Sequence, residues 1–398
     1  MKQSDDAARF RWLVLAVFVV SSAINYLDRQ TLATLKPVLC TEFHLSNADY
    51  GWILAAFSLT YAASAPFAGM LTDRIGLNRA ITLAVGVWSC AGIATGFTSG
   101  LAGLVGCRAV LGMAESGGVP AAGKAIHQYL PPAERALGNA VNQSGISLGM
   151  IIAPPVATWI AQRTDWRAAF VATGILGLLW IPLWNWMAHR AGPVATPPAP
   201  AAAASGLLHD RRLWAFVAAN ALSMTGYSLW TNWTTAYLVD VRHLTLVQSA
   251  WIAWIPPLFA LAGGFAGGWL SLRLVNRGTA PMQARFRVCL PAAVLSLATA
   301  AIPLAPSAAW AAAGISCSIF AVSAFSVNMY TLPLDAFGGE RAAFAVSILV
   351  ASYGALQAVV SPLFGKTIDL YGYAPLTVVA ALTPLAACAV LRATGSLE

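Results

Sequence analysis

Apolar residues in this chain do not alternate with polar ones as they do in a soluble fold. They gather into long runs with short polar breaks. Twelve runs approach the ~20 residues a helix needs to cross ~30 Å of hydrocarbon. They cover about 11–34, 50–71, 80–98, 101–125, 137–160, 168–188, 213–238, 247–271, 286–304, 308–334, 343–364 and 374–392. The pattern predicts an all-α integral membrane protein with twelve transmembrane helices. Too little chain lies outside these runs to hold a separate soluble core. The first run is too long for the apolar part of a signal peptide and lacks an A-x-A-like cleavage site. It continues into Asn25-Tyr26-Leu27-Asp28-Arg29, so it is expected to be the first span.

One segment breaks the pattern. From His189 to Arg212 the chain reads HRAGPVATPPAPAAAASGLLHDRR, rich in Pro and Ala with basic ends. It cannot span, and it reads as a linker at 189–212 between bundles at 1–188 and 213–398. The two parts echo each other. Gly69-Met70-Leu71-Thr72-Asp73-Arg74-Ile75-Gly76-Leu77-Asn78-Arg79 follows the second run. Gly268-Trp269-Leu270-Ser271-Leu272-Arg273-Leu274-Val275-Asn276-Arg277-Gly278 follows the eighth. Weak internal repetition of this kind predicts two pseudo-symmetric six-helix bundles.

Composition sharpens this picture. The 398 residues are 58% hydrophobic and 10% charged, against about 25% charged in a soluble domain. The net charge of +8 could suggest nucleic acid, but its placement does not. With the N-terminus in the cytoplasm, 15 of the 23 Lys and Arg residues fall on the cytoplasmic side, five on the other and three in or at the ends of spans. That bias is the positive-inside pattern, and it places both termini in the cytoplasm. The six cysteines form no CxxC and no Cys/His cluster, so neither a metal site nor a disulfide is expected.

Four charges lie inside apolar runs: Asp28, Arg29, Arg108 and Glu115. A charge at the bilayer centre costs roughly 2.5–3.5 kcal/mol on insertion scales, so such residues usually face a cavity and do work. Arg108 and Glu115 are seven apart, which puts them on one helix face about 10 Å apart along the axis. Asp28 and Arg29 are adjacent and point roughly 100° apart, so one can face a cavity and the other a neighbouring helix. A guanidinium fits a carboxylate as a planar fork. Burial raises a carboxyl's proton affinity and a nearby Arg lowers it. The purely structural alternative is two buried ion pairs pinning the first and fourth spans. Adhesion alone could use small residues, such as Gly112, Gly117 and Gly118.

The loop Gly69…Asp73-Arg74…Gly76…Arg79 resembles the G-x-x-x-D-R-x-G signature of the major facilitator superfamily. Leu77 and Asn78 replace the basic residues usual after the glycine, and the second copy has Leu272 in place of the acid. Three further stretches narrow the resemblance: Asn25-Tyr26-Leu27-Asp28-Arg29, Arg108-Ala109-Val110-Leu111-Gly112-Met113-Ala114-Glu115, and Pro131-Pro132-Ala133-Glu134-Arg135-Ala136. Together they are similar to the anion:cation symporter family of bacterial sugar-acid transporters and eukaryotic organic-anion carriers. Asn328-Met329-Tyr330-Thr331-Leu332-Pro333-Leu334-Asp335 is most like the hexuronate transporters in that family. The resemblance implies the major facilitator fold. It implies that Arg29 binds the substrate carboxylate, that Asp28 and Glu115 carry protons, and that Arg108 pairs with an acid. It also implies that Gly69, Asp73, Arg74, Gly76 and Arg79 form a conformational latch at the cytoplasmic surface. A substrate-binding Gln of the related galactonate carriers falls here at Ile146, which counts against galactonate-type recognition.

Other candidates carry no charge. Tyr61 is mid-span, and its hydroxyl could hold the substrate or Arg29. The second part has no charge in the middle of a span. It offers Tyr227, Trp230 and Asn232, then Asn328 and Tyr330, then Ser352, Tyr353 and Gln357, whose hydrogen-bonding groups and aromatic faces suit sugar hydroxyls. Among these, Asn232, Asn328, Tyr330 and Tyr353 are the substrate candidates. Asp335 and Glu340-Arg341 are expected at the cytoplasmic surface. Lys124 and His127, near the cytoplasmic end of the fourth run, are expected to snorkel. Gly145, Gly149 and Pro154-Pro155 predict close packing and a bend.

Energetics selects the coupling. A monoanion entering a cell at about −100 mV meets roughly 2.3 kcal/mol of opposition. One accompanying proton cancels that charge, and two make the potential help. The expectation is a monomeric, proton-coupled symporter of a bacterial inner membrane that imports a sugar-acid anion, a hexuronate, by alternating access. Its only coupling ion is the proton, with no metal or organic cofactor. The alternatives are another organic anion (an aldonate, glucarate, tartrate or a phthalate-like acid), an anion exchanger, or a transporter-like sensor. An enzyme is not expected, because the chain has no metal cluster, nucleophile–base pair or phosphate loop.

Overall fold

Uninterrupted apolar composition gives uninterrupted helix. A computed structural model describes residues 2–131, 134–191 and 207–394, with side chains described except at 2–8, 135–136 and 338–344. Most of the linker at 189–212 lies outside these residues, as do Pro132 and Ala133 and the side chains of Arg135, Ala136, Glu340 and Arg341.

The helices of the first part are α1 (Lys2–Phe43), α2 (Asn47–Ile75), α3 (Leu77–Thr95), α4 (Leu101–Glu115), α5 (Gly118–Tyr129), α6 (Arg135–Arg163) and α7 (Trp166–Ala191). Those of the second are α8 (Arg211–Ser223), α9 (Thr225–Asp240), α10 (Leu246–Ala253), α11 (Ile255–Asn276), α12 (Pro281–Leu295), α13 (Ala308–Tyr371) and α14 (Ala374–Ala393). The described residues form no strand.

Among the described residues, ten helical stretches are long and apolar enough to cross a membrane. The fourth and seventh expected spans make up the remainder, each as two short helices. The fourth breaks at Ser116–Gly117, between α4 and α5. Pro120 explains this break, since its ring crowds the carbonyl four residues back, at Ser116. At the break Gly117 N–H bonds Ala114 O, three residues away, at 3.3 Å, and the Ser116 hydroxyl donates to Met113 O at 2.7 Å. The seventh breaks at Met224, between α8 and α9. The tenth and eleventh expected spans lie on one helical element, α13, with apolar windows at Ala308–Phe337 and Ala345–Tyr371.

The chain divides into two compact units, Met1–Leu45 with Trp52–Ala199, and Ser46–Gly51 with Pro200–Glu398. In the first, α1 packs on α6 and α7, and α3 on α7 and α4. Its core holds Phe18, Val85, Trp88, Trp180 and Trp184. Phe18 meets Trp184 edge-on at 5.5 Å, and Trp180 stacks on Trp184 at 5.5 Å. Gly145 and Gly149 let α6 lie directly on α1: a side chain there would strike Val19 and the Ala23 carbonyl. The second unit is centred on Phe216, Cys289, Phe325, Met329, Leu349 and Cys388. Cys289 and Cys388 act as small hydrophobes, and all six cysteines are free. Large apolar side chains such as Leu59, Phe67, Leu179, Phe265 and Val359 are exposed, as a lipid-facing surface requires.

The repeated loops share a device. Gly76 (φ 84°) ends α2 and Gly278 (φ 89°) follows α11, both in left-handed backbone that favours glycine. The charges beside them differ. In the first unit Lys124 Nζ donates to Asp73 Oδ1 at 3.0 Å and to Thr72 O at 2.9 Å, which gives Lys124 a specific partner beyond snorkelling. In the second, where Leu272 replaces the acid, Arg285 donates to Asp335 at 3.2 Å and to Ser271 Oγ. The missing acid is thus supplied from α13.

Gly112 on α4 lies against the Phe57 carbonyl and Thr60 hydroxyl of α2. Valine there must push the two helices apart. Overpacking of this kind costs about 1–3 kcal/mol. Gly112→Val is therefore expected to lower the unfolding midpoint in detergent by several degrees, while Gly106→Val, at an open position, leaves it unchanged.

Candidate functional site

The first unit brings Arg29 and Glu115 together. Arg29 Nε donates to Glu115 Oε2 at 2.6 Å, joining the middle of α1 to the last residue of α4. The Glu115 side chain is fully buried, whereas 26% of Arg29's remains exposed. Glu115 ends α4 because the Pro120 break follows it, so the acid sits where regular helix gives way. Interrupted helices of this kind mark ion and substrate sites in transporters.

Aromatic rings hold the guanidinium in place. The Arg29 Cζ lies 4.9 Å from the Tyr26 ring, 4.6 Å from Phe57 and 5.1 Å from Tyr61. Phe57 and Tyr61 stack at 5.8 Å, one turn apart on α2. Partly desolvated cation–π contacts are each worth about 0.5–2 kcal/mol and fix a planar cation without consuming its N–H donors. Tyr61, whose hydroxyl is expected to hold the substrate or Arg29, presents its ring to the guanidinium. Phe57 and Tyr26 were not singled out by sequence reasoning. Their spacing could have found them, since Phe57 is four residues before Tyr61 and Tyr26 three before Arg29. Asn25, buried on α1, neighbours Glu115.

Asp28 faces the other way. The residue is 3% exposed, and its carboxylate lies against Gly92 of α3 and beside Thr173 of α7. The Thr173 hydroxyl is itself bonded to Phe170 O at 3.0 Å. Neither Asp28 oxygen has a hydrogen-bond partner among the described residues. Arg108 is buried, with its guanidinium 5.9 Å from the Phe170 ring, and it interacts electrostatically with both Asp28 and Glu115. The spacing put Arg108 and Glu115 on one face of a helix. The hydrogen-bonded partner of Glu115 is nevertheless Arg29, from a different helix.

Among the latch candidates, Asp73 is paired with Lys124, Arg74 and Arg79 are exposed, Gly69 lies in the last turns of α2, and Gly76 makes the turn. Asn142 accepts from Ser22 at 2.8 Å, a bridge between α6 and α1.

In the second unit the candidates separate. Asn328 is buried in the α13–α11 contact, where its amide donates to Gly267 O at 3.3 Å and Ala324 O at 2.9 Å. Tyr330 packs against the apolar core. Asn232 donates to Ser228 O at 3.0 Å within α9. Tyr353 is half-buried and accepts from Gln357 Nε2 at 2.7 Å. The structure thus uses Asn328 as a bond between helices and ties Tyr353 to Gln357. No group of His, Cys, Asp and Glu among the described residues could hold a metal ion.

Comparison with known proteins agrees with this architecture. The chain is 26% identical over 396 residues to the hexuronate transporter of Escherichia coli (strain K12), covering 94% of this chain and 91% of that one. It is 27% identical to the galacturonate transporter of Dickeya chrysanthemi over 66% of this chain and 81% of that one. Among solved structures, a bacterial homolog of the human lysosomal transporter Spinster, inward-facing and unoccupied, superposes with a TM-score of 0.72 at 20% identity, covering 98% of this chain and 96% of that one. The profile of the Major Facilitator Superfamily matches residues 18–349. This chain belongs to the Major Facilitator Superfamily, whose members are membrane transporters rather than enzymes.

Proposed function

We propose that this protein is a proton-coupled symporter that imports a sugar-acid anion, a hexuronate, across the bacterial inner membrane by alternating access, with both termini in the cytoplasm. The observation that carries the reading is the Arg29–Glu115 pair. A guanidinium held by three aromatic rings and partly exposed is built to take a carboxylate. An internal carboxylate already occupies it, and a substrate anion must compete with that acid. Protonating Glu115 removes its charge and frees the Arg29 fork, so proton and anion bind together. By linkage, anion binding must then strengthen proton binding by the same factor. Asp28, with its carboxylate sealed among α3 and α7, is the second proton carrier, and Arg108 supplies the positive field that both acids feel. The names of the two relatives support a hexuronate as the anion.

Reconstituted protein tests this. In proteoliposomes, galacturonate uptake should be driven by an imposed inward proton gradient and should acidify the lumen. Asp28→Asn combined with Glu115→Gln should abolish accumulation above equilibrium. Accumulation that survives the double substitution would remove the coupling scheme. Uptake that instead needs a counter-anion inside would make the protein an exchanger.

A further inference from the structure

A groove of about 790 Å³ lies between α3 and α4, wholly within the first unit. Leu83, Gly86, Cys90 and Ala94 line it from α3, and Gly106 and Val110 from α4. The α3 residues are three or four apart, so they form one helical stripe about 17 Å long. That is close to the depth of one leaflet, half of the ~30 Å of hydrocarbon. Leu83 and Val110 are 52% and 40% exposed, so the groove opens outward, toward lipid. It is separate from the charged site. Gly106 and Glu115 are nine residues apart, two and a half turns, and so point to opposite sides of their span. The chemistry of the lining is apolar. Its one hydroxyl, Thr82, donates to Asn185 of α7 at 3.2 Å, and no charged side chain among the described residues lines it. A sugar acid would find no partner there.

We infer that the α3–α4 groove binds one anionic phospholipid, with an acyl chain along the Leu83–Ala94 stripe and the phosphate on Arg79. Three observations select this occupant. A Cβ at Gly106 would meet no neighbouring group within 4 Å among the described residues. Close helix packing therefore does not require glycine there, and its effect is to deepen the groove. Two packed helices lie 8–10 Å apart, so the furrow between them is too narrow to admit a third helix 10–12 Å across. A helix would ride over the groove, whereas an acyl chain lies in it. Charge then marks one end. Arg79 continues the stripe one turn beyond Leu83 and is exposed. It stands in the first turn of α3, where Gly76 supplies no side-chain cap and the helix end itself favours an anion. A cation above an apolar furrow one leaflet deep matches a lipid phosphate with its chain below. This inference does not depend on which anion is transported.

The test uses the full chain in proteoliposomes that contain phosphatidylglycerol with a diazirine midway along one acyl chain. Irradiation is expected to label segments 83–94 and 103–110 about tenfold more than the lipid-exposed segment 258–270 of α11. Gly106→Leu fills the groove without striking a neighbour and should lower that labelling about tenfold. Gly264→Leu, at an equally open position of α11, should leave it unchanged. Cys90→Leu narrows the groove from α3 and serves if Gly106→Leu does not fold. Competition by unlabelled phosphatidylglycerol and phosphatidylcholine reads the headgroup preference. Arg79→Gln should reduce that preference about fivefold, the worth of one basic residue at an anionic surface, and Arg79→Lys should restore it. Labelling spread evenly over the exposed helices, or unmoved by Gly106→Leu and Cys90→Leu, would overturn the site. A preference for phosphatidylglycerol that survives Arg79→Gln intact would overturn the placement of the phosphate. Cross-linking of one copy to another through these two segments, in place of lipid labelling, would make the groove an interface between copies and overturn the inference as well.

Discussion

Arg29→Ala is expected to abolish binding of every carboxylate ligand, and Arg29→Lys to weaken it by about a hundredfold. The ligand-induced thermal shift of purified protein measures both. Truncating one partner of a buried, hydrogen-bonded charge pair costs about 2–5 kcal/mol. In Arg29→Ala, Glu115 is also left fully buried without its 2.6 Å partner, so the thermal midpoint without ligand should fall too. Lysine separates the two effects. Its point charge still neutralises Glu115, which spares stability. It loses the planar fork, and its compact, strongly hydrated ammonium is a poorer partner for the Tyr26, Phe57 and Tyr61 rings that now hold the guanidinium at 4.6–5.1 Å. A lysine variant with unaltered affinity would show that the site needs only positive charge. An alanine variant that keeps its thermal shifts would move the anion site away from α1.

The division between what the sequence disclosed and what it withheld follows the physics of a membrane chain. Span positions were legible because hydrocarbon tolerates only apolar helix. The four intramembrane charges stood out for the same reason. Partner choice was not legible. Arg108 and Glu115 share a helix face, yet the bond to Glu115 comes from Arg29, 86 residues away in sequence. Pairing between helices depends on packing, and here glycines such as Gly112 set how closely the helices approach. The break after Glu115 was readable in principle from Pro120, whose clash falls on Ser116. In the second unit the fault ran the other way. The stretch around Asn328 is the one most like the hexuronate transporters, but Asn328 bonds two helices together. The polar string that joins Ser228 of α9 to Gln357 and Tyr353 of α13 is likewise assembled only by folding. At the loop after α11, Leu272 stands where the repeat has an acid, and there Arg285 pairs with Asp335 of α13, a partner distant in sequence.

Glu115→Gln should separate binding from coupling. Glutamine nearly matches the shape of the protonated acid but cannot compete as an anion for the Arg29 fork. Galacturonate should therefore bind Glu115→Gln at high pH as tightly as it binds the unmodified protein at low pH. The sign follows from the competition. In the unmodified protein the ionised Glu115 opposes the substrate, so affinity falls as pH rises. One linked proton allows at most about a tenfold change per pH unit. In Glu115→Gln that slope should be lost, leaving only what Asp28 contributes. Transport should change accordingly. Exchange of labelled for unlabelled galacturonate needs no net proton movement and should persist. Uphill uptake driven by a proton gradient should fall at least a hundredfold. Calorimetric titration across the pH range, paired with exchange and gradient-driven uptake in the same liposomes, measures all three. If Glu115→Gln keeps the pH slope of the unmodified protein, the linked proton sits on Asp28, and the Arg29–Glu115 pair is a packing element. If it loses exchange as well as uptake, the pair is needed for the conformational change itself, and competition at Arg29 is not how the two cargoes are tied together.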